Sequence, residues 1–389
     1  MIHLHNIMRN LFLKILFIVL VQTAATSQNL VLNSDSTKPA VTLESSDEIS
    51  LLFIGDFMGH LDQINAAYNK TLGVYNYNPT FKKIAPILSD ADVTIGNLEV
   101  TLGVRPYSGY PRFSSPASYA SAIKQSGVDV LVTANNHSCD KNKKGLERTI
   151  AVLDSLNIGH TGTFVSEKSK LVSPAYVIEK NNIKIAILNY TYGTNGISPG
   201  QPNVVNYLEK ETIAKDVMIV KSMENLDQII AFVHWGDQYK SLPNDTQKNW
   251  FDYFRSLGVN IVIGSHPHVL QPMEWQPKTD LKKESLVVYS LGNFISHQRT
   301  FPRDGGAVLK LSLKKKPGDG VEIKSVGYHL TWVYEFRSKG KKHYDILSVK
   351  DFEGDPSYFS RKSDYNKLVR FSKHARELLL KNNINVEEY

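Results

Sequence analysis

Apolar runs of strand length, alternating with amphipathic helical patterns, predict an α/β fold with a substantially parallel sheet. Three observations carry that reading. The first is the alternation itself. The second is a composition of 42% hydrophobic and 21% charged residues, which belongs to folded globular chains. The third is a set of polar, ligand-type side chains gathered where the apolar runs end. With 389 residues, the chain has ample material for a core.

The N-terminus stands apart from this pattern. Arg9 and Lys14 flank or enter the run LFLKILFIVLV, and small, polar AATSQ follows. That is the layout of a secretory signal peptide over residues 1–27, with cleavage after Ser27. The apolar stretch is short for a membrane span and is broken by Lys14, which disfavours an uncleaved anchor. No cysteine stands close after it, so a lipoprotein anchor on cysteine is not expected. Export to the periplasm, the cell surface or the medium is the expectation. Loss of Arg9 and Lys14 takes the formal charge from +7 to +5, a mild basicity that favours an anionic substrate or surface. Cys139 is the only cysteine, so no intrachain disulfide can form, and it reads as a structural or incidental thiol. The basic clusters KKKPGD and SKGKKH read as solvated turns; no nucleic-acid motif accompanies them, and no nucleic-acid partner is expected.

Residues 28–48 are polar and aperiodic and read as a linker. From Ile49 the elements follow in order. ISLLFIG reads as a strand, PTFKKIAPILSDA as a helix with Phe81, Ile84 and Leu88 on one face, and DVTIGN as a strand. SPASYASAIKQSG reads as a helix with Ser115 as cap, Pro116 in the first turn and Gly127 as stop, leading into the strand VDVLVTA. KKGLERTIAVLDSLN is helical in pattern, IIAFVHWG is a strand, and the helix TQKNWFDYFRSLG precedes NIVIGSHPH. AYVIEKNNIKIAILNY carries the Asn-Asn turn of a hairpin. LVVYSLGNFIS, GAVLKLSL and VGYHLTWVYEF read as consecutive strands, and SDYNKLVRFSKHARELLLKNN as a terminal helix. The main domain is expected over residues 49–313, with C-terminal strands and a helix over 314–389.

In open α/β sheets function gathers where strands end. Five strand ends here repeat one theme. FIGDFMGH supplies Asp56 and His60, and TIGNLE supplies Asn97 and Glu99. VTANNHSCD supplies Asn135, Asn136, His137 and Asp140, FVHWGD supplies His234 and Asp237, and VIGSHPH supplies His266 and His268. A single histidine or aspartate at a strand end is ordinary turn chemistry. Five neighbouring ends that all carry imidazole, carboxylate or amide donors point to a metal site, and that donor mixture suits Mn, Fe or Zn. In GSHPHV the two histidines stand two residues apart, which in a strand would aim both at one point. No GxxxxGK[ST] loop and no GxGxxG turn after the first strand is present, so nucleotide cradles lack their signatures.

The ordered motifs GDFMGH, NLE, NNHSCD, HWGDQ, GSHPHV and YSLGNFI resemble the bacterial capsule-synthesis protein CapA family, of the poly-γ-glutamate biosynthesis type. That family is similar in turn to the calcineurin-like metallophosphoesterases. The match runs from about Ile49 to Leu313. The resemblance implies a four-layer αββα sandwich with a small C-terminal β/α extension and two divalent metal ions at the strand ends. It implies Asp56 and His268 on the first metal, Glu99 as the bridging carboxylate, and Asn136, His234 and His266 on the second, with His137 as the catalytic histidine. The phosphoesterase Asp-x-His start is replaced by Asp56-x-x-x-His60. His60 is thus left open between a metal ligand, a substrate-orienting group and neither, and Asn97 is a further metal or substrate candidate.

The loop GVRPYSGYPRFSSP, with Arg105, Tyr107, Tyr110 and Arg112, is expected either to bind anionic substrate groups or to be a solvated turn. Asn293 in YSLGNFI reads as part of a strand bulge in preference to a ligand contact. The function implied is an exported, dinuclear-metal-dependent hydrolase or transferase of capsule or cell-envelope polymer biosynthesis. Its substrate would be an anionic polymer or a phosphoester, and its partners capsule-assembly membrane proteins. A non-catalytic polymer-binding component and a general extracytoplasmic metallophosphatase are the alternatives.

Overall fold

The computed structural model describes residues 47–316 and 320–389. The expected signal peptide, and all but the end of the linker, lie outside the described residues. Four parallel strands open the first sheet: β1 (Glu48–Phe57), β2 (Val93–Leu98), β3 (Val130–Val132) and β4 (Gly159–Thr161). Helices α1 (Leu61–Ala67), α2 (Ala117–Gln125) and α3 (Asn142–Ser155) lie between them. The chain then builds a second sheet from β5 (Tyr176–Lys180), β6 (Ile183–Thr191), β7 (Gln228–His234), β8 (Ile261–Ser265), β9 (Met273–Gln276) and β10 (Ser285–Val288). Its helices are α4 (Lys210–Lys221) and α5 (Asp245–Ser256). The first sheet resumes with β11 (Asn293–Ile295), β12 (Gly305–Lys316), β13 (Gly320–Ser338) and β14 (Lys341–Ser348). Helix α6 (Lys362–Asn382) and β15 (Glu387–Glu388) close the chain.

The first sheet has the order β14-β13-β12-β1-β2-β3-β4, with β11 on β1 and β15 on β13; the second has the order β5-β6-β7-β8-β10-β9. Both are mixed. Strand periodicity assigns successive residues to opposite faces. Ile49, Leu51 and Phe53 of β1 and Ile183, Ile185 and Ile187 of β6 enter one core between the sheets, where Phe53 and Phe232 meet at 6.2 Å between ring centroids. Leu52 and Ile54 face outward against Tyr119 and Ile123 of α2. Ala186, Leu188 and Tyr190 face outward on the other side, against Ile213 of α4 and Phe254 of α5. The layers are helix, sheet, sheet, helix, the order that the family resemblance implies. Strands beyond Leu313 continue the first sheet, and α6 packs on β13 through Leu368, Phe371, Ala375 and Leu379.

Three elements differ from their sequence patterns. PTFKKIAPILSDA forms two four-residue helices, Asn78–Phe81 and Ala85–Leu88, because Pro86 lacks the N–H that would continue a helix and stands where a new one starts. Phe81, Ile84 and Leu88 are nonetheless all buried in the same outer core. Ser115 pairs in a short strand and does not cap α2, whose N-cap is Pro116 with no side-chain cap bond. LVVYSLGNFIS divides between the sheets, β10 in the second and β11 in the first. The Asn-Asn hairpin is present as read, with Asn181 at φ 54° and Asn182 at φ 60° between β5 and β6. No described helix is long and apolar enough to cross a membrane.

Arg376 on α6 ties the C-terminal elements together. Its guanidinium bonds both carboxylate oxygens of Glu353, at 2.6 and 2.9 Å, and both of Glu388, at 2.7 and 2.8 Å. Paired planar contacts of this kind are among the stronger ion pairs, though partial exposure discounts them. We expect Arg376→Ala to cost about 1–2 kcal/mol, read as a lower urea midpoint with an unchanged slope.

Candidate metal centre

Parallel strands of both sheets end at one edge of the sandwich, and each end contributes a side chain. Asp56 lies in β1 beside β11, its N–H donating to Gly292 O at 3.0 Å. Gly55 permits that approach, since a Cβ there would stand 2.0 Å from the same carbonyl. Asn97 lies in β2 and Glu99 just beyond it. The turn after β3 carries Asn135, Asn136 and His137, and is held to the second sheet by Asn189 of β6. The Asn189 Oδ1 accepts from the N–H groups of Thr133 at 3.1 Å and Ala134 at 2.6 Å, while its Nδ2 donates to Phe232 O at 3.0 Å.

His234 ends β7. Strand β8 ends at Ser265, so His266 and His268 do not converge by strand alternation as the sequence suggests. They lie in a left-handed turn, with φ of 101° and 58°, and their rings come to 5.8 Å. Such backbone in non-glycine residues costs roughly 1–3 kcal/mol each and collects at functional sites.

The result is two buried groups of potential ligands: Asp56, Glu99 and His268, and Glu99, His234 and His266. Within each group one donor atom per residue lies within 4.8 Å of the others. Asn136 adds its Oδ1, 2.9 Å from His234 Nε2. Glu99 is 0% exposed, and neither of its oxygens has a hydrogen-bond partner among the described residues. The imidazole nitrogens His234 Nε2, at 3.5 Å, and His268 Nε2, at 3.8 Å, face Glu99 Oε1 without bonding it. Buried His266 Nδ1 is likewise unpartnered. Burial, and then the Asp56 charge, push the Glu99 carboxyl well above the usual carboxylate range. Burial, and then neighbouring imidazoles, push His234 and His266 well below the usual histidine range. A buried carboxyl group without a hydrogen-bond partner among the described residues, set among imidazole nitrogens, a second carboxylate and an amide oxygen, fits divalent cations shared through Glu99.

Around these groups, Asn97 donates its Nδ2 to Asp56 Oδ1 at 2.8 Å and accepts from Asn135 Nδ2 at 3.2 Å, bracing potential ligands without joining either group. His60 lies outside both groups. It accepts the His297 N–H at 3.2 Å, packs edge-on against Phe113, and burial pushes it down to about 4. A cleft of ≈ 720 Å³ opens over the second group, lined by Tyr110, Arg112, His137, Tyr192, Asp237 and His266 among others. Arg112 is fixed there by Nε to Asp140 O at 2.8 Å and Nη2 to Asn142 Oδ1 at 2.9 Å. Arg105 is not in the lining and stands over the Tyr107 ring at 4.8 Å. Asp140 receives His137 Nδ1 at 2.7 Å and the Phe113 N–H at 2.6 Å on the same oxygen.

Sequence reasoning passed over Tyr192, whose ring lies 4.6 Å from that of His266 and whose hydroxyl burial pushes up to about 12. It follows β6 directly, at a strand end like the others, but a tyrosine there is not a ligand-type residue and carries no metal signal in sequence. Asn293, read as a bulge residue, also touches the site, with Oδ1 3.1 Å from His268 Nδ1.

Residues 50–298 match the profile of the bacterial capsule synthesis protein PGA_cap. The chain belongs to the PGA_cap family. Among its relatives is a capsule biosynthesis protein CapA of Bacillus anthracis, 23% identical over 84% of this chain and 73% of that protein. Another is the PGA biosynthesis protein CapA of Bacillus subtilis, 26% identical over 75% of this chain and 74% of that one. A Haemophilus influenzae NAD nucleotidase is similar in structure, with a TM-score of 0.45 at 15% identity over 85% of this chain and 67% of that one.

In this PGA_cap protein the raised carboxyl of Glu99 sets a sign for stability. A group with a folded pKa above its unfolded value stabilises at low pH and loses that contribution as pH rises. Metal-free Glu99→Gln is therefore expected to be more stable than metal-free wild type at neutral pH, by about 1–3 kcal/mol. The gap narrows as pH falls toward the ordinary carboxylate range, and denaturant melts of both proteins across pH measure it.

Proposed function

We propose that this PGA_cap protein is an exported, divalent-metal-dependent hydrolase or transferase. Its substrate would be an anionic polymer of the cell envelope, of the poly-γ-glutamate type, or a phosphoester. The observation that carries the proposal is the pair of buried ligand groups sharing an unpartnered Glu99. The capsule and PGA biosynthesis relatives support the polymer, and the mixed His, carboxylate and amide donors support Mn, Fe or Zn. Charged, apolar residues 1–27 support export. Capsule-assembly membrane proteins are the partners this reading implies.

When bound, a pair of divalent cations supplies Lewis acidity toward a water and the oxygens of an anionic substrate. The chain supplies the proton chemistry. Asp140 Oδ2 accepts a hydrogen bond from His137 Nδ1–H at 2.7 Å, which fixes the ring and leaves Nε2 to face the cleft. From the cleft wall, that nitrogen gives a proton to a leaving group or receives one from a nucleophile. Arg112, already held on one edge of its guanidinium, offers its remaining N–H groups to a substrate anion without further loss of side-chain freedom.

A catalyst and a polymer-binding scaffold part at His137. We expect His137→Gln to keep its metal content and fold while losing roughly 10²–10⁴-fold in turnover, assayed on a simple aryl phosphate and on poly-γ-glutamate. Full rescue of capsule formation by the same variant in a deletion strain would overturn the catalytic reading in favour of the scaffold.

A further inference from the structure

Asn293 begins β11 and is 0% exposed. We propose that it is a positioning residue that holds His268 in its Nδ1–H form, so that the Nε2 lone pair faces the space bounded by Asp56 and Glu99. The inference rests on the metal reading above only for its consequence; the tautomer is a property of the chain itself.

The hydrogen bonds leave the Asn293 amide one orientation. Its Nδ2 lies 2.9 Å from Arg303 O, a carbonyl that can only accept, and 3.2 Å from Gln298 Oε1. The atom 3.1 Å from His268 Nδ1 is therefore Oδ1, which can only accept. The other group at that nitrogen is Asp56 Oδ2, also at 3.1 Å and also an acceptor. Two acceptors on Nδ1 call for a hydrogen there, and the neutral ring then carries its lone pair on Nε2, 3.8 Å from Glu99 Oε1. An outer hydrogen bond of this kind sets both the tautomer and the angle of a metal-binding imidazole.

The geometry is built in from further away. Gly292, at φ 69°, turns the chain so that β11 runs beside Asp56. The segment 297–303 then holds Asn293 from behind. Within it, the His297 N–H bonds His60 Nδ1, and the Arg303 guanidinium stands 4.2 Å over the Tyr239 ring, which lies 6.1 Å from the His268 ring. His60 of GDFMGH is thus joined to the site through this segment and Asn293, and not as a ligand.

The test is ¹⁵N NMR of the histidine side chains in the metal-free protein, with the His268 signals identified by their loss in His268→Gln, together with Mn²⁺ and Zn²⁺ titrations. Wild type should show the Nδ1–H pattern at His268. Asn293→Leu leaves Asp56 Oδ2 as the one acceptor at Nδ1 and should raise the Nε2–H population and weaken metal binding by roughly 10–100-fold, whereas Asn293→Asp, which keeps an acceptor, should restore the wild-type tautomer. An Nε2–H pattern in wild type, or Asn293→Leu binding metal as tightly as wild type, would overturn the proposal. A wild type with the expected tautomer that binds neither metal would refute the metal reading and leave the tautomer assignment standing.

Discussion

A carboxylate withdrawn from water needs a counter-charge or hydrogen bonds, and Glu99 is fully buried with neither among the described residues. Asp56, His234, His266 and His268 place further potential ligand atoms around it. The two groups that share it draw on β1, β2, β7 and the turn after β8, from both sheets. The sandwich therefore does more than bury apolar surface. It brings the ends of two sheets to one edge, where Glu99 and His266 carry buried polar atoms without partners among the described residues.

Holding such an edge together takes polar ties that the apolar core cannot supply. Asn189 joins the turn that bears Asn136 and His137 to the second sheet. Asn97 links Asp56 to Asn135 within the first. Gly55 and Gly292 let β11 press against β1 at Asp56, and His266 and His268 accept left-handed backbone. Each of these is unfavourable or specific by itself, and together they hold rigid donors around one point, which is what a preorganised site requires.

Much of this was legible in the sequence. The strand and helix alternation follows from apolar periodicity, and the ligand types at successive strand ends follow from the rule that sheets present function at their edges. What was not legible depended on geometry between distant segments. The convergence of His266 and His268 was anticipated, but by the wrong means, because strand alternation cannot reveal a left-handed turn stabilised by its surroundings. LVVYSLGNFIS reads as one strand with a bulge, since nothing local tells a chain that Leu286 belongs to one sheet and Asn293 to the other. PTFKKIAPILSDA kept its buried face but not its helix, Pro86 having ended the hydrogen-bond ladder. Arg105 and Arg112 look alike in sequence, yet only Arg112 reaches the cleft, because its guanidinium is anchored on the turn bearing Asp140.

The central proposal is that Glu99 would be shared by two divalent cations. Electron paramagnetic resonance of the protein reconstituted with Mn²⁺, with elemental analysis of the same sample, addresses it most directly. The account requires about two Mn per chain and the spectrum of an exchange-coupled pair. One Mn per chain, an uncoupled spectrum, or a protein that takes up no metal would contradict it.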